Sequence, residues 1–199
     1  MSNDDVNQGR RRFLTGATCV VGGAGAAGAA IPFVGSWFPS AKAKAAGAPV
    51  KINIGNIEPG QRVVEEWRGM PVYIVRRSAE ALSSLEKLED QLRDPQSEKS
   101  EQPDYVDPAN RAIKAEYLIM VGLCTHLGCA PMYRPEVGAA DLGGEEWLGG
   151  FFCPCHGSKF DLAGRVYKGV PAPSNLKVPP HHYESDTVVV IGIDQEAAS

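Results

Sequence analysis

Positive charge is scarce over most of this chain: beyond residue 50 there are 15 Lys and Arg against 22 Asp and Glu, a net −7 within an overall −4. Without a basic patch on that part there is no electrostatic footprint for nucleic acid, and no such partner is expected. Charge of either sign is missing altogether from Phe13 to Ala41, a run of 29 residues. Histidine and cysteine are also few, at four and five of 199 residues. What little there is lies crowded together: four of the cysteines and two of the histidines fall in Cys124-Thr-His126-Leu-Gly-Cys129 and Cys153-Pro-Cys155-His156-Gly-Ser158.

That crowding needs a chemical reason. A Cys-x-His and a Cys-x-x-His half-site provide two thiolates and two imidazoles on tight Gly-containing turns, with one cysteine to spare in each, Cys129 and Cys155. A structural zinc site of two Cys and two His needs only those four ligands, and leaves the spare pair unexplained. A nucleophilic Cys-His pair would use one cysteine of four, and no third orienting group is evident. A two-iron, two-sulfide cluster, with cysteines on one iron and histidines on the other, would use every residue.

Both segments resemble the two cluster-binding boxes of the Rieske iron-sulfur proteins, C-T-H-x-G-C and C-P-C-H-G-S, with all six cluster residues in place. Within that family the paired extra cysteines mark the high-potential branch of cytochrome bc complexes. The resemblance implies that Cys124 and Cys153 hold one iron, that His126 and His156 hold the other and carry the chemistry, and that Cys129 and Cys155 form a disulfide. It also implies that the Ser158 hydroxyl bonds a cluster sulfur and that the Pro-rich loop Gly169-Val-Pro-Ala-Pro173 covers the cluster as a third wall. One residue departs from the pattern. The aromatic two positions beyond the serine is commonly a tyrosine that donates to a ligating sulfur, and here it is Phe160.

The ligand set agrees with a carrier of high potential. Two ferric ions, two sulfides, two thiolates and two neutral imidazoles leave no net charge, whereas an all-cysteine cluster is a dianion. Adding an electron is therefore easier, and the potential rises from roughly −400 mV to between about −150 and +300 mV. Each imidazole binds iron through one ring nitrogen, so the other can carry or release a proton and electron uptake is coupled to proton uptake. Such a group suits a quinol donor. By resemblance the exposed imidazole, taken as His156, meets ubiquinol in the cytochrome b subunit, and the electron passes to a c-type cytochrome subunit of a dimeric complex. Two other expectations stand beside this one: the Rieske subunit of a periplasmic oxidoreductase such as arsenite oxidase, and a zinc-stabilised binding module.

Arg10-Arg-Arg-Phe-Leu14 matches the twin-arginine export signal R-R-x-F-L, a route that carries folded, cofactor-loaded domains. The uncharged run that follows is long enough to cross a hydrocarbon core of about 30 Å. Its glycines and alanines permit close packing on other transmembrane helices, with Cys19 a small packing residue among them. Ala41-Lys-Ala43 offers a cleavage site, but a cleavable signal's apolar region is typically only about 7 to 15 residues, so retention is expected. Arginines held inside put the remainder in the periplasm, anchored to the inner membrane by a single pass. An oxidising compartment is also where a disulfide persists. The expected division is residues 1–12 cytoplasmic, 13–39 transmembrane helix, 40–49 an Ala-rich tether that resembles the family's hinge, and 50–199 the periplasmic Rieske domain.

Within 50–199 the pattern predicts an all-β fold of small antiparallel sheets with one inserted helix. Strands are expected at 51–54, 62–67, 71–75, 117–121, 147–152, 164–167 and 187–193, the second and third forming a hairpin. Leu82, Leu85, Leu88 and Leu92 with a Ser78 cap predict an amphipathic helix over 78–92. Residues 94–110, with three prolines, are expected to be a loop. His181 and His182 have no cysteine companion at ligand spacing and are expected in an exposed loop.

Overall fold

The computed structural model describes residues 7–194. The chain divides between Ala45 and Ala46 into two units. The first is dominated by α1 (Gln8–Gly35), long and apolar enough to cross a membrane, with every described side chain exposed. It begins five residues before the expected Phe13, because Asn7 caps it by accepting the Arg10 N–H at 3.0 Å and the arginines are good helix formers. Of the expected cytoplasmic segment, residues 1–6 lie outside the described residues. The tether forms a short helix, α2 (Ala41–Ala46), started by Ser40 Oγ accepting the Ala43 N–H.

In the second unit the chain runs through β1 (Val50–Asn53), β2 (Arg62–Trp67), β3 (Met70–Arg76), α3 (Ala79–Leu85), β4 (Tyr117–Val121) and β5 (Met132–Arg134). It then forms β6 (Gly150–Phe152), β7 (Lys159–Asp161), β8 (His181–Tyr183) and β9 (Val188–Ile191). These make three antiparallel three-stranded sheets, ordered β1-β9-β8, β2-β3-β4 and β5-β6-β7. The β2–β3 turn is two residues, Arg68-Gly69, both at positive φ (53° and 72°), the type I′ geometry that matches strand twist.

The middle sheet separates two cores. Alternation sends Val72, Ile74, Tyr117 and Ile119 to one face, where they meet Ile52, Val189 and Ile191 of the first sheet. Tyr73, Val75, Leu118 and Met120 face the other way and pack with Phe151 and Phe160 of the third sheet and with Cys124 and Cys153. That second core carries the candidate site.

Several elements differ from the sequence pattern. The expected helix over 78–92 is α3, capped by Ser78, followed by a 3₁₀ segment over Glu86–Gln91. Leucines three apart at 82, 85 and 88 suit three residues per turn, and Leu88 and Leu92 pack with Trp147 and Tyr167. The strand expected at 147–152 shrinks to β6, because Gly149 takes φ 93° and Trp147 plugs that cluster instead. Residues 164–167 make only isolated bridges, Val166 to Phe160 and Tyr167 to Leu92. Here Asp161 caps the turn through the N–H groups of Ala163 and Arg165 and pairs with the Arg165 guanidinium at 2.7 Å. Arg165 reaches on to the carbonyls of Leu85 and Pro95, so this pair, wholly buried, ties the helical insertion to the third sheet.

His181 and His182 correct the expectation of an exposed loop. They lie in β8, and His181, paired opposite Ile191, is 1% exposed. Its Nδ1–H donates to the Pro179 carbonyl at 2.9 Å, while Nε2 is buried without a partner among the described residues. Burial therefore holds the imidazole below its usual pKa, against a partial offset from the Pro179 carbonyl and Asp194. An unfolded chain takes up this proton near pH 6.5, where the folded one refuses it. Stability should accordingly fall between the ordinary histidine pKa and the lower folded one, by at most about 1.4 kcal/mol per pH unit. Urea unfolding of the His181→Asn variant should lack this slope; an unchanged slope would refute it.

Candidate metal centre

The two cysteine-histidine segments are one loop built twice. In the first, the Cys124 N–H donates to the Cys129 carbonyl at 2.8 Å and the Gly128 N–H to the Cys124 carbonyl at 2.9 Å. In the second, the Cys153 N–H donates to Ser158 O at 2.8 Å and the Gly157 N–H to Cys153 O at 2.9 Å. Gly128 (φ 80°) and Gly157 (φ 75°) occupy the same left-handed corner of each, a conformation that favours glycine. The first loop leaves β4 through Gly122, and the second is the turn between β6 and β7.

Facing each other, the loops bring their donors together. The His126 and His156 rings stand edge to face with centroids 4.7 Å apart. His126 is half-buried and His156 exposed, beside Leu127 at 70% exposure. Beneath them Cys124 and Cys153 are buried free thiols in the second core. Burial pushes the Cys124 thiol up; the backbone at His126 and the Ser158 hydroxyl pull it down, and the adjacent Cys153 thiol adds to the rise. Cys129 and Cys155 are joined by a disulfide across the loops. The sulfurs of Cys129, Cys153 and Cys155 lie within 4.8 Å of one another, but the disulfide consumes two of them and only Cys153 offers a thiolate.

These residues fit an iron-sulfur cluster. Two thiols sit in an apolar core, and His126 Nδ1 is buried without a hydrogen-bond partner among the described residues. Orphaned buried donors of that kind are costly unless something binds them. Two sulfurs and two nitrogens from two loops make the donor set of an unequally ligated pair of irons.

The Pro-rich loop closes the third side. Ala172, fully buried in the same core as the two thiols, donates its N–H to Ser158 Oγ at 3.1 Å. The same hydroxyl lies close enough to Cys124 to pull its thiol down. Sequence reasoning missed Thr125. Its hydroxyl donates to the Ser174 carbonyl at 2.7 Å and so ties the first loop to the Pro-rich one. A hydroxyl wedged between two candidate ligands was the available signal. Pocket residues Tyr105, His181, His182 and Asp194 line a separate cleft.

Three small sheets and twin disulfide-joined loops define a class of protein, the Rieske [2Fe-2S] domain, whose family model matches residues 96–180. A second model, described as ubiquitinol-cytochrome C reductase Fe-S subunit TAT signal, matches residues 1–40. The chain is 54% identical over 198 residues, 100% of its length and 95% of the relative's, to the ubiquinol-cytochrome c reductase iron-sulfur subunit of Allochromatium vinosum. It is 43% identical over 96% of its length to the subunit so named from Blastochloris viridis, covering 97% of that protein. To the mitochondrial cytochrome b-c1 complex subunit Rieske of Saccharomyces cerevisiae it is 36% identical, over 94% of this chain and 79% of that one. The chain belongs to the family of ubiquinol-cytochrome c reductase iron-sulfur subunits, and its cofactor is one [2Fe-2S] cluster. Membership sets aside the arsenite-oxidase-type subunit and the zinc module.

Phe160 is fully buried in the core that holds Cys124 and Cys153. A tyrosine hydroxyl added there would be placed, as the resemblance implies, to donate to a ligating sulfur. Such a bond, at about 1.5 kcal/mol, corresponds to on the order of 60 mV for one electron. Protein-film voltammetry of Phe160→Tyr should show an upward shift of that order, and no shift would contradict the account.

Proposed function

We propose that Cys124 and Cys153 ligate one iron and His126 and His156 the other, and that the chain carries single electrons from ubiquinol to a c-type cytochrome within a membrane complex. When bound, the cluster supplies a one-electron acceptor of high potential. Everything else is done by the chain. The thiols hold their iron from inside the apolar core, and the disulfide and the Pro-rich loop keep the two loops closed against water. The exposed imidazole of His156, with one ring nitrogen on iron, would have the other free to accept a hydroxyl proton from the quinol. The observation that carries this reading is the pairing of an exposed His156 against a half-buried His126.

Its partners on this reading are a cytochrome b subunit supplying the quinol site and a cytochrome c1-type acceptor, in a dimeric complex, which the relatives named as subunits of a cytochrome b-c1 complex support. Exposed Leu127 beside His126 gives the tip an apolar contact. The span α1 anchors the chain in the bilayer of the inner membrane, and the arginines at its start set the Rieske domain in the periplasm. Residues 40–49 act as a hinge between the division 13–39 and the domain 50–199, a reading supported by the break between Ala45 and Ala46.

Two outcomes are expected. Diethylpyrocarbonate should modify His156 of the oxidised membrane complex faster than His126, and quinol oxidation should fall in step with His156 labelling. Activity lost in step with His126 instead would sink the assignment. Replacing residues 43–46 with prolines should slow electron transfer to the cytochrome at least tenfold while the cluster's visible spectrum stays the same, since a proline run is a semi-rigid spacer. An unaltered rate would leave the segment a mere tether.

A further inference from the structure

One side chain outside both cysteine boxes touches each end of the first loop. Tyr73 rises from β3 into the second core, 4% exposed. Its hydroxyl donates to the Pro131 carbonyl at 3.0 Å, two residues beyond Cys129. Its ring abuts Gly122, two residues before Cys124, so closely that a Cβ at Gly122 would collide with the ring atoms Cδ1, Cε1 and Cζ. The Gly122 N–H, in turn, donates to the Pro71 carbonyl at 2.7 Å, on the same strand as Tyr73. The whole excursion from Gly122 to Pro131 is thus measured against one residue of the middle sheet.

The ring itself is held from outside. The Arg62 guanidinium sits 4.6 Å from the Tyr73 centroid and 5.9 Å from that of Tyr133. Both rings also pack on Phe151, at 6.1 and 5.3 Å, in the strand that leads into Cys153. Tyr133 makes the reverse connection, its hydroxyl donating to the Gly60 carbonyl at 3.0 Å. A tyrosine of the middle sheet thereby grips the third sheet's loop, and a tyrosine of the third sheet grips the loop before β2.

We infer that Tyr73 is a positioning residue for the cluster: its hydroxyl on Pro131 and its ring under Gly122 fix where the first loop presents Cys124 and His126. The inference rests on the ligand assignment proposed above. A loop held at both ends has one geometry; freed at Pro131, it samples several, and the environment of the ligands becomes heterogeneous.

The test uses the full-length chain in detergent, comparing wild type with Tyr73→Phe, which keeps the ring on Gly122 and deletes only the hydroxyl. Tyr133→Phe, which loses a bond of the same kind at Gly60, is the control. Reduced Tyr73→Phe should give a broadened electron paramagnetic resonance spectrum and a displaced midpoint potential, with both unchanged in Tyr133→Phe. Separately, dithiothreitol should open the Cys129–Cys155 disulfide about fivefold faster in Tyr73→Phe, the factor that losing one typical hydrogen bond makes in a local opening equilibrium. A spectrum, potential and disulfide rate all equal to wild type overturn the inference, as do equal changes in both variants, which would mark general loosening. A wild-type chain with no such spectrum indicts the ligand assignment, and the disulfide rate then still judges Tyr73 alone.

Discussion

Two loops of the same build, clamped face to face by Cys129–Cys155, hold four donor atoms where no regular element could. Each loop closes on its own backbone, amide of the first cysteine to the sixth carbonyl. What a single loop cannot do is bring the other's sulfur and imidazole within reach. The disulfide does that over a separation of 26 residues, and removing it should release chain entropy worth about 3–4 kcal/mol in the unfolded state. The fold exists to support this pairing: β6 and β7 deliver one loop, β4 the other, and the middle sheet separates the site's core from the core beneath.

The polarity of the site follows from that arrangement. The thiols sit in apolar packing with Phe151, Phe160 and Ala172, while of the two imidazoles His156 is exposed and His126 half-buried with its Nδ1 inside. Thr125 and Ser158 bind the Pro-rich loop across the same junction, so the third wall is fixed by the loops it covers.

The chemistry was legible because it is local. Two boxes with ordered spacing suggested the donor types, and an uncharged run beside three arginines suggested the long apolar helix, although Asn7 starts it earlier than the charge pattern implies. The Arg68-Gly69 hairpin and the buried run Tyr117–Val121 were equally readable. Short strands were not. Met132–Arg134, Lys159–Asp161 and His181–Tyr183 have three residues each, too few for a period of two to register, and they pair because distant strands are waiting. His181 was misplaced for a related reason: sequence gives a histidine no address, and only the neighbour across β9 decides that it is buried. Tyr73 and Thr125 escaped notice because each acts on a backbone carbonyl far along the chain, at Pro131 and Ser174.

The account turns on unequal ligation, sulfur on one iron and nitrogen on the other. Nitrogen-selective double-resonance spectroscopy of the reduced, purified chain measures it directly. Two strongly coupled histidine nitrogens are predicted, both moving to the 15N frequency when the chain is grown on 15N-histidine. A spectrum with no coupled nitrogen, or a colourless protein that folds with zinc and lacks iron, would contradict it.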